Sequence, residues 1–302
     1  MKVLVGLNSK NIDDYLNYTN SFIIGIKDFS ISYLDFSLDE LKELREKYPN
    51  IELFVSLNKN IFNSDLDKLE SILKKLDRLK IDGVLFYDLS ILSIVKELNL
   101  NLPLIWGQEH MTTNYNTCNY YFDKGCEYVF LSSEITESEI IEIKNKSKIK
   151  LMSLVFGYPE VSFSKRKLLT NYFLHNNLEK DKDYYLIESD EKNRYYIKEG
   201  RLGTSILYGN ILNGIKPFNN LFDVLEYGIL NESLIDHDVF MKVLKIFCDL
   251  KNKKVNVLDA HKKVLELTNS DDTVFYYQKT IYKVKDEKKD WIIKSSRWLR
   301  KT

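Results

Sequence analysis

The chain has 302 residues, 44% of them apolar, with 44 basic and 44 acidic side chains, which excludes a disordered or fibrous chain and names no partner by net charge. Three cysteines (Cys118, Cys126, Cys248) with no CxxC spacing exclude a disulfide framework. The opening MKVLVGLNS is too short in its apolar run for a signal peptide or a membrane span, so a reducing cytoplasm is the expected compartment.

Strand-like and helix-like segments then alternate at a regular beat. KVLVGL (2–7) leads to the helical NIDDYLNY (11–18), and FIIGIKDFS (22–30) leads to SLDELKELREKY (37–48). In the latter helix Ser37 stands as N-cap with Glu40 three residues on, a capping box, and Leu38, Leu41 and Leu44 form an apolar stripe. IELFVSLN (51–58) precedes DLDKLESILKKLDRL (65–79), where Leu66, Leu69, Ile72, Leu73 and Leu76 keep helical spacing. GVLFYD (83–88), LPLIWGQ (102–108) and YVFLSSE (128–134) are each followed by a helical run, at 91–99, 113–125 and 136–146. LMSLVF (151–156) is the seventh strand. Near-continuous apolar strands, each followed by an amphipathic helix, predict a parallel sheet covered by helices. Seven such beats fit a (β/α)8 barrel better than a doubly wound sheet, and the first turn, LNSKNIDD, lacks GxGxxG.

The beat breaks after residue 173. KDYYLIE (182–188), NRYYIKE (193–199) and TSILYG (204–209) alternate like antiparallel strands, with turns at Ser189–Asp190 and Gly200 to Gly203. They predict a β insertion at about 180–210, between barrel strands seven and eight. The eighth strand is expected near Glu226 to Leu234, with helices at 236–250 and 257–267 and a strand at 274–284. The chain therefore divides into a barrel over 1–250 and a C-terminal extension over 251–302. Residues 279–301 carry nine Lys/Arg against Asp286, Glu287 and Asp290.

In such a barrel the active site lies at the C-terminal ends of the strands. Polar residues recur there: Asn58 after strand three, Asp88 at the end of strand four, Gln108, Thr113 and Asn114 after strand five, and Glu134 at the end of strand six. After strand seven, the turn beyond Gly157 and Pro159 gathers Ser164, Lys165 and Arg166, followed by Asn171 and Tyr172. Cations and hydroxyls just past a buried strand suit an anion, because Arg and Lys hold phosphate or carboxylate oxygens by charge-assisted hydrogen bonds. Helix capping is the structural alternative for Thr113 and Asn114, and a solvated loop for the cationic turn. No metal site is expected, since His110, His175, His237 and His261 lack ligand spacing. Ser162 with Lys165, and Ser164 with Lys167, form S-x-x-K, but no SDN or KTG box accompanies them. In the tail, Lys283, Lys285, Arg297 and Arg300 are interleaved with Trp291 and Trp298, a pattern that suits RNA phosphates and stacked bases and equally an amphipathic element with Trp291, Ile292 and Trp298 packed on the barrel.

An ordered series of boxes in this chain resembles peptidase family U32. SLNKNIFNSDLDKLESILKKL is similar to the family's strand-three segment, WGQEHMTTN to its strand-five box, and FLSSEITESEI to its strand-six segment. FGYPEVSFSKRKLLTNYF resembles its signature, with Ser164, Arg166, Leu169, Asn171 and Tyr172 matching. The two signature cysteines, however, fall on Glu160 and Lys167, and 168–235 contains no cysteine. Members that hydroxylate tRNA, ribosomal RNA or ubiquinone precursors hold an iron–sulfur cluster on such cysteines, so the resemblance implies that this chain binds none. It implies instead a short member that works beside a longer, cluster-bearing paralogue in 5-hydroxylation of the tRNA wobble uridine, with prephenate as a possible ligand. The family name implies a collagenase-like peptidase as the alternative, and a non-catalytic scaffold is the third reading.

Overall fold

The computed structural model describes residues 1–108, 110–188 and 194–277. In chain order the first strands are β1 (Lys2–Gly6), β2 (Ser21–Ile26), β3 (Asp35–Phe36), β4 (Glu52–Leu57), β5 (Gly83–Phe86), β6 (Leu104–Trp106), β7 (Tyr128–Phe130) and β8 (Lys150–Gly157). They are followed by β9 (Glu160–Ser164), β10 (Tyr184–Glu188), β11 (Arg194–Gly200), β12 (Gly203–Tyr208), β13 (Leu212–Asn213) and β14 (Tyr227–Asn231). Eight of them, β1, β2, β4 to β8 and β14, pair in parallel in an unbroken circle. Closure is made by β1, which pairs with β14 (Lys2 opposite Tyr227) and with β2 (Leu4 opposite Ser21). The expected (β/α)8 barrel is therefore present, and its strands lie within a few residues of the expected ones.

The helices are α1 (Leu38–Lys47), α2 (Leu66–Arg78), α3 (Leu89–Glu97), α4 (Tyr115–Asp123), α5 (Glu137–Lys146), α6 (Leu168–His175), α7 (Ile215–Leu221), α8 (His237–Lys251) and α9 (Val257–Thr268). Strand β2 is buried at every residue, as a strand between barrel interior and helix layer must be. Helix α2 turns Leu69, Ile72, Leu73 and Leu76 inward, each side chain contributing about 1.5–3 kcal/mol by leaving water. The capping box of α1 forms as expected: Glu40 N–H donates to Ser37 Oγ at 3.2 Å, and Ser37 N–H donates to Glu40 Oε2 at 2.8 Å. Thr136 and Glu139 build a second capping box on α5.

Several local expectations need correction. The helix expected at 11–18 is only a 3-10 turn, Tyr15–Asn17. Helix α7 was hidden by Pro217, which is tolerated because it lies in the first turn. Residues 274–277 form a turn rather than the start of a strand, and Val274 has φ +48°. The remainder of that strand, the turn at Ser189–Asp190, and the tail residues Lys283, Lys285, Trp291, Arg297, Trp298 and Arg300 lie outside the described residues. Helix α9 of the C-terminal extension buries Ala260 and Val264 in the same core as the barrel. Among the described residues no helix is long and apolar enough to cross a membrane.

The insertion starts earlier than its alternating strands suggest. Strand β9 comes from the turn after the seventh barrel strand and joins a four-stranded antiparallel sheet in the order β10-β11-β12-β9. Gly203 permits the tight β11–β12 connection: its φ is +154°, and a Cβ there would stand 2.2 Å from the Ser164 carbonyl oxygen. This sheet contributes Phe163, Lys198 and Ser205 to a cavity whose other walls come from the barrel's C-terminal rim.

Candidate ligand site at the barrel mouth

The cavity at the mouth has a volume of about 290 Å³. Ser30 to Asp35, from the segment after β2, form one wall, and Ser233, just past β14, contributes to another. A smaller recess of about 30 Å³ shares Ser32, Tyr33, Lys198, Ser205 and Ser233 and reaches Tyr158, Glu160 and Asn231.

Strand register explains how these groups come together. Lys198 of β11 pairs with Ser205 of β12, and Ser205 pairs with Phe163 of β9. Two residues along β12, Leu207 pairs with Glu160. Ser205 and Leu207 share a face of their strand, so their partners Phe163 and Glu160 also share one. A spacing of three would normally put those partners on opposite faces. The β-bulge between Ile206 and Leu207 leaves Val161 without a partner and restores the match. The bulge therefore aims Glu160 at the mouth.

Glu160 accepts hydrogen bonds from Ser32 Oγ at 3.0 Å and from Ser205 Oγ at 3.2 Å. Burial nevertheless raises its pKa above the usual carboxylate value, with the Lys198 charge acting in the opposite sense. Lys198 donates to Ser233 Oγ at 3.1 Å. Burial lowers its pKa, while Glu160 and Asp35 partly offset that effect. Burial also raises the pKa of Asp35. The second cation of the cavity, Arg201, is committed: its guanidinium pairs with Asp28 and lies 3.5 Å from Asp35.

Asn58 is 1% exposed and does not face the cavity; it builds one wall. Its Oδ1 accepts from Ile31 N–H at 2.9 Å and Ser30 Oγ at 3.3 Å, and its Nδ2 donates to Ser32 Oγ at 2.8 Å. Ser32 then passes the constraint to Glu160. The other expected residues are dispersed. Asp88 caps α3, accepting from Ser90 N–H at 2.9 Å, and Asn114 caps α4, accepting from Thr117 N–H at 3.0 Å. For Asn114 the capping alternative thus describes the geometry found. Thr113 is exposed, Gln108 accepts at its backbone carbonyl from Met111 N–H, and Glu134 is exposed 3.9 Å from His110.

The cationic turn also lies elsewhere than over the mouth cavity. Pairing of β9 with β12 carries Ser164, Lys165 and Arg166 to the rim. Ser164 Oγ accepts from Arg166 N–H at 3.3 Å, and Arg166 is exposed. Lys165 lies 3.6 Å over the Phe62 ring and lines a separate rim cavity of about 230 Å³ with Lys59 and Asp65. Asn171 and Tyr172 are exposed on α6. Sequence reasoning missed Lys198, Ser205 and Ser233. The available signal was period two in NRYYIKE, which places Lys198 on the same strand face as Tyr196. Tyr196 packs edge-on against Tyr158, at the same recess.

Residues 15–225 match the model of peptidase family U32. The chain belongs to that family. This U32 protein is 25% identical over 250 residues to "tRNA hydroxylation protein P2" of Bacillus subtilis, covering 76% of this chain and 81% of that protein. It is 25% identical over 141 residues to "tRNA hydroxylation protein P1" of the same organism, covering 46% of this chain and only 33% of that protein. A solved U32 peptidase structure superposes with a TM-score of 0.48 at 10% identity, over 77% of this chain and 93% of that one.

The thiols present in this U32 chain do not fit an iron–sulfur cluster. Cluster iron takes thiolates. Cys118, Cys126 and Cys248 are all buried, and burial pushes the first two up to about 12 and the third to about 11. Cys118 lies on α4 and Cys248 on α8. The mouth presents a carboxyl group and an amine instead.

Proposed function

We propose that this U32 protein takes part in 5-hydroxylation of the tRNA wobble uridine, as the cluster-less partner of a cluster-bearing paralogue. The observation that carries the reading is its likeness to tRNA hydroxylation protein P2 over 81% of that protein's length. The match to P1 covers a third of P1, which is consistent with a shorter partner of a longer chain. In this reading the paralogue supplies the redox chemistry. This chain supplies a polar, partly desolvated mouth and, through its basic tail, contact with tRNA. The test is mass spectrometry of tRNA from a strain lacking this gene. Loss of 5-hydroxyuridine-derived nucleosides is expected, and a normal level of them would refute the role. Co-purification with the paralogue tests the partnership separately.

The peptidase reading gains no support from the S-x-x-K pairs. Lys165 Nζ lies over Phe62, Lys167 Nζ donates to the Gly200 carbonyl, and Ser164 Oγ is engaged with Arg166 N–H.

A further inference from the structure

We propose that the rim cavity beside the mouth holds one unpaired nucleotide of a single RNA strand, with its base against Phe62 and Phe163 and its phosphate at Lys165 and Arg166. The inference deepens the tRNA reading and rests on it for the nature of the polymer; the site itself is argued from the rim.

Three observations carry it. The first is an aromatic ring held open to solvent. Phe62, in the segment between β4 and α2, is 46% exposed. Its position is nevertheless fixed. Phe62 N–H donates to Asp65 Oδ2 at 3.0 Å, and Asp65 is clamped by Lys59 Nζ at 2.9 Å. Lys59 in turn lies 4.3 Å over the buried Phe29 ring. A chain of contacts from the core therefore holds the backbone that carries an exposed phenyl ring. A ring placed in advance loses little freedom on stacking, and every base offers a π-face to it.

The second is the chemistry around that ring. Phe163 and Leu202 complete the apolar lining of the cavity of about 230 Å³, and Asn60 and Ser64 add hydrogen-bonding groups. Gly203 makes room for Phe163, since a Cβ there would stand 2.7 Å from its Cζ. Lys165 Nζ is 3.6 Å from the Phe62 ring centroid, and Arg166 beside it is exposed. Segments 59–68 and 164–167 together hold five cations against two carboxylates, Asp65 and Asp67, and Lys59 already neutralises Asp65. Cations beside open rings match a nucleotide, whose phosphate takes the charge and whose base takes the ring. An acidic peptide would use the cations and leave the rings idle.

The third is adjacency. Phe163 and Leu202 line both this cavity and the mouth cavity, so the two recesses share a wall. A strand that lodges one nucleotide in the rim presents its neighbour to the mouth. The rim is then a positioning subsite. It selects single strands, because a base inside a duplex has both faces stacked already and cannot enter.

The experiment is fluorescence anisotropy of 5′-labelled heptauridylate titrated with the full chain across about 50–200 mM salt. The single strand is expected to bind more tightly than a labelled blunt RNA duplex. Phe62→Leu is expected to weaken binding about fivefold or more at every salt concentration, with the salt slope unchanged. Lys165→Ala and Arg166→Ala are each expected to weaken binding and to reduce the slope by about 0.7, one phosphate contact on a single strand. Lys146→Ala serves as the control. It ends α5, which runs back from the mouth to the opposite end of the barrel, so wild-type affinity is expected. Circular dichroism checks the fold of each variant. The assignment is overturned if heptauridylate does not bind, if the duplex binds as well, or if heptaglutamate displaces the label as readily as unlabelled heptauridylate. It is equally overturned if Phe62→Leu binds like wild type, or if Lys165→Ala leaves affinity and slope unchanged, since the RNA would then sit elsewhere on the chain. Failure of the tRNA reading looks different: a deletion strain with normal tRNA removes that role while the binding results stand. Variants that bind like wild type, in a chain whose deletion does abolish the modification, remove the rim site alone.

Discussion

Replacing Asn58 with alanine separates a wall-building residue from a ligand contact. Asn58 makes three neutral hydrogen bonds to residues 30–32, at 2.8, 2.9 and 3.3 Å, from a side chain that is 1% exposed. Each such bond contributes about 1 kcal/mol net, and the Ile31 N–H and Ser32 Oγ would be left short of a partner. The expected loss is therefore about 3 kcal/mol, a sizeable share of the roughly 5–15 kcal/mol that stabilises a folded domain. In a chain of this size that corresponds to a fall of about 6 °C in Tm. Urea-induced unfolding followed by circular dichroism measures the free energy directly. Asn58→Asp keeps both acceptor bonds and loses the donor to Ser32, so its loss should be smaller at low pH, where the new carboxyl is neutral. A stability indistinguishable from wild type in Asn58→Ala would refute the reasoning and return Asn58 to the role of a ligand contact.

Other perturbations probe the neighbouring elements. His237 at the start of α8 is held by the buried Glu232, 2.7 Å from Nδ1, and that contact raises its pKa above the ordinary 6.5. Its stabilisation is then complete below the unfolded imidazole's pKa and is lost as pH rises through the higher folded value. Wild type should exceed His237→Gln in stability more at pH 5.5 than at pH 9, by under about 1 kcal/mol because the imidazole is half-exposed; an equal margin at both pH values would contradict this. Gly203→Ala should cost about 2 kcal/mol in the same urea assay, since the new methyl would collide with the Ser164 carbonyl at a φ of +154°. Arg201→Ala removes partly exposed ion pairs to Asp28 and Asp35 and should cost under about 1 kcal/mol. Faster amide hydrogen exchange within 194–208 is expected in that variant, and unchanged exchange would show that the ion pairs do not hold the hairpin to the rim. A chain ending at Val284 should bind tRNA more weakly, with a shallower salt dependence in filter binding, because it lacks most of the tail's cations.

The strand–helix rhythm was legible because each barrel strand is buried on both faces and each helix on one, so burial writes its own period into the residues. Ser37 with Glu40 marked a helix start, because a capping box is complete within four residues. Asn58 and Asn114 were visible as polar groups at strand ends, but residue type could not say whether they face a ligand or the backbone. Asn58 clamps a loop and Asn114 caps a helix.

By itself, the chain's pattern of apolar residues determined the barrel, the number of its strands and the presence of an antiparallel insertion, since all three follow from periodicities shorter than a single helix. Only the tertiary structure decided which polar groups meet. Lys198, Ser233 and Glu160 come from three separate segments, and they are joined by pairing register and by one unpaired residue, Val161. A one-residue bulge reverses which way every earlier side chain of its strand points, and nothing local in VSFS announces it.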